Sequence, residues 1–201
     1  MRKNLKISIR IGLVSFGLLS AFAISATGSI KSAKEVVQRF VSMDVEGARL
    51  NSQGWHKADT FFARPSEPPQ QKTIVVIAKH YGLSEGTIKG NMAEYSLGYE
   101  ELGQITSLLQ FVVSNSGVET RSICKYNLIL TDDNRRPVSD EKTAKEMDAA
   151  LEWRIEGAQP AEMHIGVDAA VRYLTEMREQ TKDPIAKKNA DKGLAMLKSY
   201  R

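Results

Sequence analysis

His56 and Asp59 are the two residues whose types and spacing most resemble acid–base machinery. They lie three positions apart, so on a helix they would share a face, where the carboxylate could orient the imidazole as a general base. The same spacing also fits an exposed helical pair beside a buried Trp55. We therefore treat His56 and Asp59 as candidate catalytic residues and keep the exposed pair as the alternative.

His80 is the third candidate catalytic residue. It shares one face of a predicted strand with Ile74, Val76 and Ala78, because side chains two apart in a strand point the same way. This placement could direct the imidazole into a cavity. A histidine at the rim of the sheet, near the end of its strand, fits the pattern equally well.

Aromatic side chains on the predicted elements are candidates for binding a ligand. Phenol and indole groups offer hydrogen bonds next to apolar surface, and small-ligand pockets are often lined in this way. The same residues also fit a packed core, and both interpretations are carried forward. The candidate ligand-binding residues are Trp55, Tyr95, Tyr99, Tyr126 and Trp153.

Signals for a metal, a cofactor or an activated serine are missing from the sequence. The three histidines are scattered, without the paired spacing of metal ligands, and no Gly-x-Ser-x-Gly elbow occurs. The single cysteine, Cys124, cannot form a disulfide within the chain, and its alternation with Tyr126, Leu128 and Leu130 favours burial. We therefore predict no metal site and no cofactor.

The first 28 residues have the order of a secretory signal. A basic start is followed by an apolar run over 11–24 and then by small residues. The run is about fourteen residues long, whereas a membrane-spanning helix needs roughly twenty. We predict that residues 1–28 are removed after Ala23 or Gly28, which leaves a periplasmic or secreted protein without a stable membrane anchor.

The net charge of +4 belongs to this leader. The chain holds 28 basic and 24 acidic residues, and removing Arg2, Lys3, Lys6 and Arg10 leaves 24 of each. A nucleic-acid-binding domain keeps a basic face. We therefore predict no nucleic-acid partner for the neutral mature chain.

Hydrophobic periodicity predicts an opening helix followed by a sheet. Residues 32–50 repeat at helical spacing, and Ser32 with Glu35 matches a capping box. A short second helical or irregular piece precedes a proline-rich loop, and from residue 73 the period changes to two. Predicted strands cover about 73–81, 87–99, 105–113, 119–131 and 151–155, with a polar connection before the last that can hold a short helix at 143–150.

The end of the chain predicts a helical hairpin over about 166–200. An apolar stripe runs along 167–177, and Asp183 before Pro184 is typical of the start of a new helix. Each stripe is too narrow to be stable alone, so the helices must be buried against the sheet or against a second subunit. We expect the intramolecular arrangement, within a single domain over 29–201.

An opening helix, a short second helical piece and several long strands carry a scattered set of residues that point to a known family. They are Phe40, Asp44, Gly47, Gly54-Trp55, Phe61-Phe62, Ala93-Glu94-Tyr95 and Trp153-Arg154-Ile155. In these residues and in the order of its elements, the chain resembles the nuclear transport factor 2-like superfamily, the cystatin-like α+β cones, in its bacterial exported form. The resemblance covers about 32–157 and implies an α+β fold in which the N-terminal helix packs in a curved antiparallel sheet that forms a cone. The C-terminal hairpin departs from the family pattern.

This resemblance implies a pocket and leaves the reaction open, because proteins similar in fold include isomerases, dehydratases and transport adaptors. The first hypothesis is non-catalytic binding of a small apolar ligand or of a protein partner in the cone pocket, and a homodimer is kept as a further partner. The alternative is a cone enzyme that performs acid–base isomerase or dehydratase chemistry. We favour the first, because no local motif supplies a catalytic set.

Overall fold

The computed structural model of the chain describes residues 32–65, 74–113, 121–139, 151–160 and 163–201. Within these ranges the fold is α+β, with a strongly curved mixed sheet that forms a half-barrel and with four α-helices. The predicted signal peptide and the short helix expected at 143–150 lie outside the described residues. Every helix in the described ranges falls short of the length and apolarity that a bilayer-spanning segment requires.

Two helices precede the sheet. Helix α1 spans Ala33–Val45, and the Ser32 hydroxyl and the Glu35 side chain cap its start reciprocally, as the capping box predicts. The helix ends next to Gly47, which adopts the left-handed conformation, and a short 3₁₀ turn covers Ala48–Leu50. Helix α2 spans Ser52–Asp59.

The sheet contains seven strands in the described ranges, in the order β6-β5-β3-β1-β7, with β2 and β4 paired to β3. Two of the predicted strands are divided by turns. Gly90, at φ 58°, separates β2 from β3, and Leu109, at φ 57°, lies in the turn before β4. The strands are β1 Val75–Leu83, β2 Thr87–Lys89, β3 Met92–Ile105, β4 Phe111–Val113, β5 Arg121–Thr131, β6 Glu152–Gln159 and β7 Met163–Ile165.

Strand β7 corrects the expectation of an antiparallel sheet. It pairs in parallel with β1, whereas the other pairings in the described sheet are antiparallel. The physical reason is the path of the chain. Strand β6 lies at one edge of the sheet, and the chain then crosses to the opposite edge, where β7 runs alongside Val75–Ile77.

The two faces of the sheet carry separate cores. Val76 and Ala78 of β1 belong to a cluster with Val37 and Phe40 of α1, and we call this side the α1 face. The alternate residues of β1 belong to a cluster with the two C-terminal helices, α3 Val167–Gln180 and α4 Pro184–Leu197, on the hairpin face. The predicted hairpin therefore packs on the sheet of its own chain.

Strand β6 contributes to the α1-face core and also carries a buried arginine. Trp153, a candidate that also fits a packed core, is half-buried against this core. Arg154 is only 9% exposed. Its guanidinium donates to the Thr131 hydroxyl at 3.1 Å, to the Thr60 carbonyl at 2.6 Å and to the Glu152 carboxylate at 2.7 Å, which compensates for its burial.

Candidate functional site

An open groove lies between α1 and β1, and we call it the α1–β1 groove. Its larger part has a volume of about 990 Å³ and its smaller part about 440 Å³, and the two parts share Val41, Ser42 and His80. Helix α1 forms one wall, β1 and β3 form the other, and the last residues of the chain close one end. The lining residues are Gln38, Val41, Ser42, Val45, Glu46, Ala78, Lys79, His80, Gly82, Leu83, Leu97, Glu100, Leu102, Val167, Ser199, Tyr200 and Arg201.

The groove follows the edge of β1. Strand β7 pairs with Val75–Ile77 only, and none of the described strands pairs with the same edge over residues 78–83. The consecutive residues Ala78, Lys79 and His80 all line the groove. Because neighbours in a strand point to opposite faces, a groove that touches all three runs along the strand edge.

His80 lies where the two parts of the groove meet. It is half-buried, and its ring centre is 6.4 Å from that of Tyr99 and 6.4 Å from that of His164. Burial lowers the pKa of His80, and the charge of Asp44 opposes this only in part. The imidazole is therefore neutral at pH 7 and can donate one hydrogen bond and accept another.

Asp44 is a buried carboxylate beneath the groove, 3% exposed. Its two oxygens accept hydrogen bonds from Nε and Nη2 of Arg49, each at 2.6 Å, and Oδ2 also accepts from the backbone N–H of His164 at 3.2 Å. The Arg49 guanidinium lies 5.3 Å from the ring centre of Phe40 and 5.9 Å from that of Trp55. Asp44 therefore neutralises a buried arginine and holds β7 in place.

The end of α1 closes the outer edge of β7. The backbone N–H of Gly166 donates to the carbonyl of Val45 at 2.9 Å, next to the bond from His164 to Asp44. Both donors would otherwise lie at a sheet edge. This arrangement explains why an acidic residue occupies the apolar side of α1.

His164 is 2% exposed and lies against Tyr99, with 4.6 Å between the ring centres. Burial lowers its pKa from 6.5 to about 4, and the charge of Asp44 opposes this shift in part. The folded protein therefore resists protonation of His164, whereas the unfolded chain accepts the proton at an ordinary pKa.

This difference predicts acid sensitivity. As the pH falls from about 6.5 to about 4, the unfolded chain gains a proton that folded His164 does not, so stability should fall by about 2.5 kcal/mol between pH 7 and 4.5. Urea unfolding of wild type and His164→Gln at both pH values measures it, since the variant lacks this group and keeps the other titrating groups. Equal losses in the two proteins would show that His164 is not the source.

The candidates on α2 lie away from the groove. His56 is exposed, and Asp59 is half-buried and accepts a hydrogen bond from Nη1 of Arg135 at 3.1 Å. Of the three predicted catalytic candidates, only His80 lines the α1–β1 groove.

The predicted ligand-binding aromatics are placed in the core or at its edge. Tyr95, Tyr99 and Tyr126 are at most 4% exposed and belong to the α1-face core, and Trp55 is 7% exposed. Trp153 is half-buried. None of these five residues is among those that line the groove.

Cys124 is buried, and its Sγ lies 3.7 Å from the carbonyl oxygen of Pro160. Burial raises the pKa of this thiol, so it stays protonated at neutral pH and is a poor nucleophile. Among the described residues, no group of three or more histidine, cysteine or acidic side chains could hold a metal ion.

Ser42, which lines the groove, and His164, which lies behind His80, were not among the residues predicted from the sequence. Asp44 was noted only as part of the family resemblance, although a carboxylate four residues after Phe40 on an apolar helical stripe is a signal for a buried ion pair.

No family model, curated protein or solved structure matches the chain.

Proposed function

We propose that this chain is an exported domain of the nuclear transport factor 2-like type that binds a ligand in the α1–β1 groove without changing it chemically. The observation that carries the proposal is an open groove with both apolar and polar lining residues and a half-buried, neutral His80 where its two parts meet. Sites of this kind orient an apolar ligand with a few polar groups.

Binding is favoured over catalysis by the arrangement of the titratable groups. Asp44 already accepts three hydrogen bonds that hold the fold together, and Tyr99 and His164 lie buried behind His80. General acid–base catalysis needs a second group within reach of the reacting atoms. Ser42, Lys79, Glu46 and Glu100 also line the groove.

The second candidate function is acid–base chemistry with His80 as the base. It is supported by the lowered pKa of His80, which leaves the imidazole able to accept a proton at neutral pH. A His80→Gln variant separates the two, because a binding site should keep part of its affinity whereas an enzyme should lose its turnover.

A fluorescent apolar anion, anilinonaphthalene sulfonate, tests the proposed site directly. We expect saturable binding to the wild type and at least about tenfold weaker binding to Ser42→Trp, because Ser42 is exposed on α1 and lines both parts of the groove. Lys57→Trp adds the same side chain at an exposed position of α2 and should bind like the wild type. Equal affinities of the two variants would reject the groove as the binding site.

Export is part of the same proposal and rests on the order of residues 1–28. We expect N-terminal sequencing of the protein made in a bacterial host to begin within residues 24–29. A product that retains residues 1–20 in the membrane fraction would contradict processing.

A further inference from the structure

The open edge of β1 points to the kind of ligand that the groove takes. Residues 78–83 continue β1 beyond the end of its pairing with β7, and none of the described strands covers this edge. Every second residue of such an edge directs its backbone N–H and C=O outward, where another chain can pair with them. Ala78, Lys79, His80, Gly82 and Leu83 of this stretch all line the groove.

The groove lies where β7 would continue along β1 if it were longer. Strand β7 pairs with Val75–Ile77, and the chain then leaves this position, because Gly166 bonds to Val45 and α3 begins at Val167. The vacated position is next to residues 78–83. At about 3.3 Å per residue these six residues offer an edge of roughly 20 Å, which matches a short strand.

The two sides of the groove differ in polarity, which indicates the side-chain pattern of a strand that would fit between them. Val41 and Leu97 line the side of the groove that belongs to the α1 face, whereas Lys79 and Glu100 are paired neighbours on β1 and β3 that project to the other side. Side chains of an added strand would alternate between these environments. The pattern that fits is apolar residues at every second position with polar residues between them.

The size of the site favours a linear segment over a folded partner. A stable interface between folded proteins buries about 800 Å² on each partner, which a six-residue edge walled by α1 does not provide. A single extended chain does not need an interface of that size.

We infer that the α1–β1 groove binds an extended peptide segment of a partner protein, with alternating apolar residues, which adds a strand to β1 next to β7. The inference rests on the proposed binding function and names the class of its ligand. Main-chain hydrogen bonds to β1 supply affinity in this mode of recognition, and the α1 wall supplies selectivity.

A displayed library of random dodecapeptides is the probe. The mature chain is the target, Ser42→Trp is used for counter-selection, and Lys57→Trp is the matched control. Enriched peptides are synthesised, and a backbone N-methyl group is placed at each position in turn. We expect affinity to fall about tenfold or more at every second position, where a main-chain hydrogen bond is lost, and to change little between them.

The outcomes separate this inference from the proposed function. Gln38→Trp is a second variant that fills the groove, because Gln38 also lines it. The inference is supported by peptides that bind Lys57→Trp but neither Ser42→Trp nor Gln38→Trp, and whose affinity falls on N-methylation at every second position. A library without groove-dependent binders, or N-methyl effects without that period, overturns it. If the inference is overturned but Ser42→Trp still weakens dye binding, the groove binds small molecules and the proposed function stands. If Ser42→Trp leaves dye binding unchanged, the inference and the proposed function both fail. Melting temperatures of the variants show that they are folded.

Discussion

Replacing Asp44 with alanine is expected to destabilise the fold by about 3–5 kcal/mol, because it leaves the Arg49 guanidinium buried without its counter-charge. The Arg49 side chain is 10% exposed, and Asp44 is also the acceptor for the N–H of His164. The loss should therefore include the docking of β7. Chemical denaturation at pH 7 measures it.

Two further variants test the cause of this loss. Asp191→Ala removes the carboxylate of an exposed ion pair with Arg178 on the hairpin and should cost less than about 1 kcal/mol. Combining Asp44→Ala with Arg49→Met removes both charges and should recover part of the stability. If Asp44→Ala costs no more than Asp191→Ala, the buried pair does not hold the fold.

Replacing Leu197 with alanine should cost about 3 kcal/mol, because this side chain is fully buried on the hairpin face. Its neighbour Met196 is 39% exposed, and Met196→Ala should cost less than about 1 kcal/mol. The pair compares burial at adjacent positions of one helix. Denaturant melts of the two variants measure the difference.

This comparison also tests whether the hairpin is integral to the domain. Leu197 belongs to the same cluster as Ile77 and Ile165 of the sheet, so its loss should lower the stability of the whole protein in one transition. A separate early transition in Leu197→Ala would instead show that the hairpin unfolds independently.

Local signals in the sequence were sufficient for the elements with strong periodicity. The capping box at Ser32 and Glu35 placed the start of α1, and Asp183 before Pro184 placed the start of α4. The alternation along 93–99 gave the α1 face of β3. These features depend on neighbours in the chain, which is why the sequence alone reveals them.

Strand β7 and the site could not be predicted in the same way. Met163–Ile165 is too short to show a period, and its position depends on Val75–Ile77, far away in the chain. His80 was identified as a candidate because it lies on an alternating strand. Its contacts with Tyr99 and His164 depend on the pairing of three strands, and the sequence carries no signal for that.

The bond between Asp44 and His164 joins residues 120 positions apart in the chain, and this has a consequence for folding kinetics. Contacts between such distant residues form slowly, because a long loop must close before they contribute. Until β7 docks, the exposed edge of β1 extends from Val75 to Leu83. Partly folded molecules would then expose a longer template for aggregation than the native protein does.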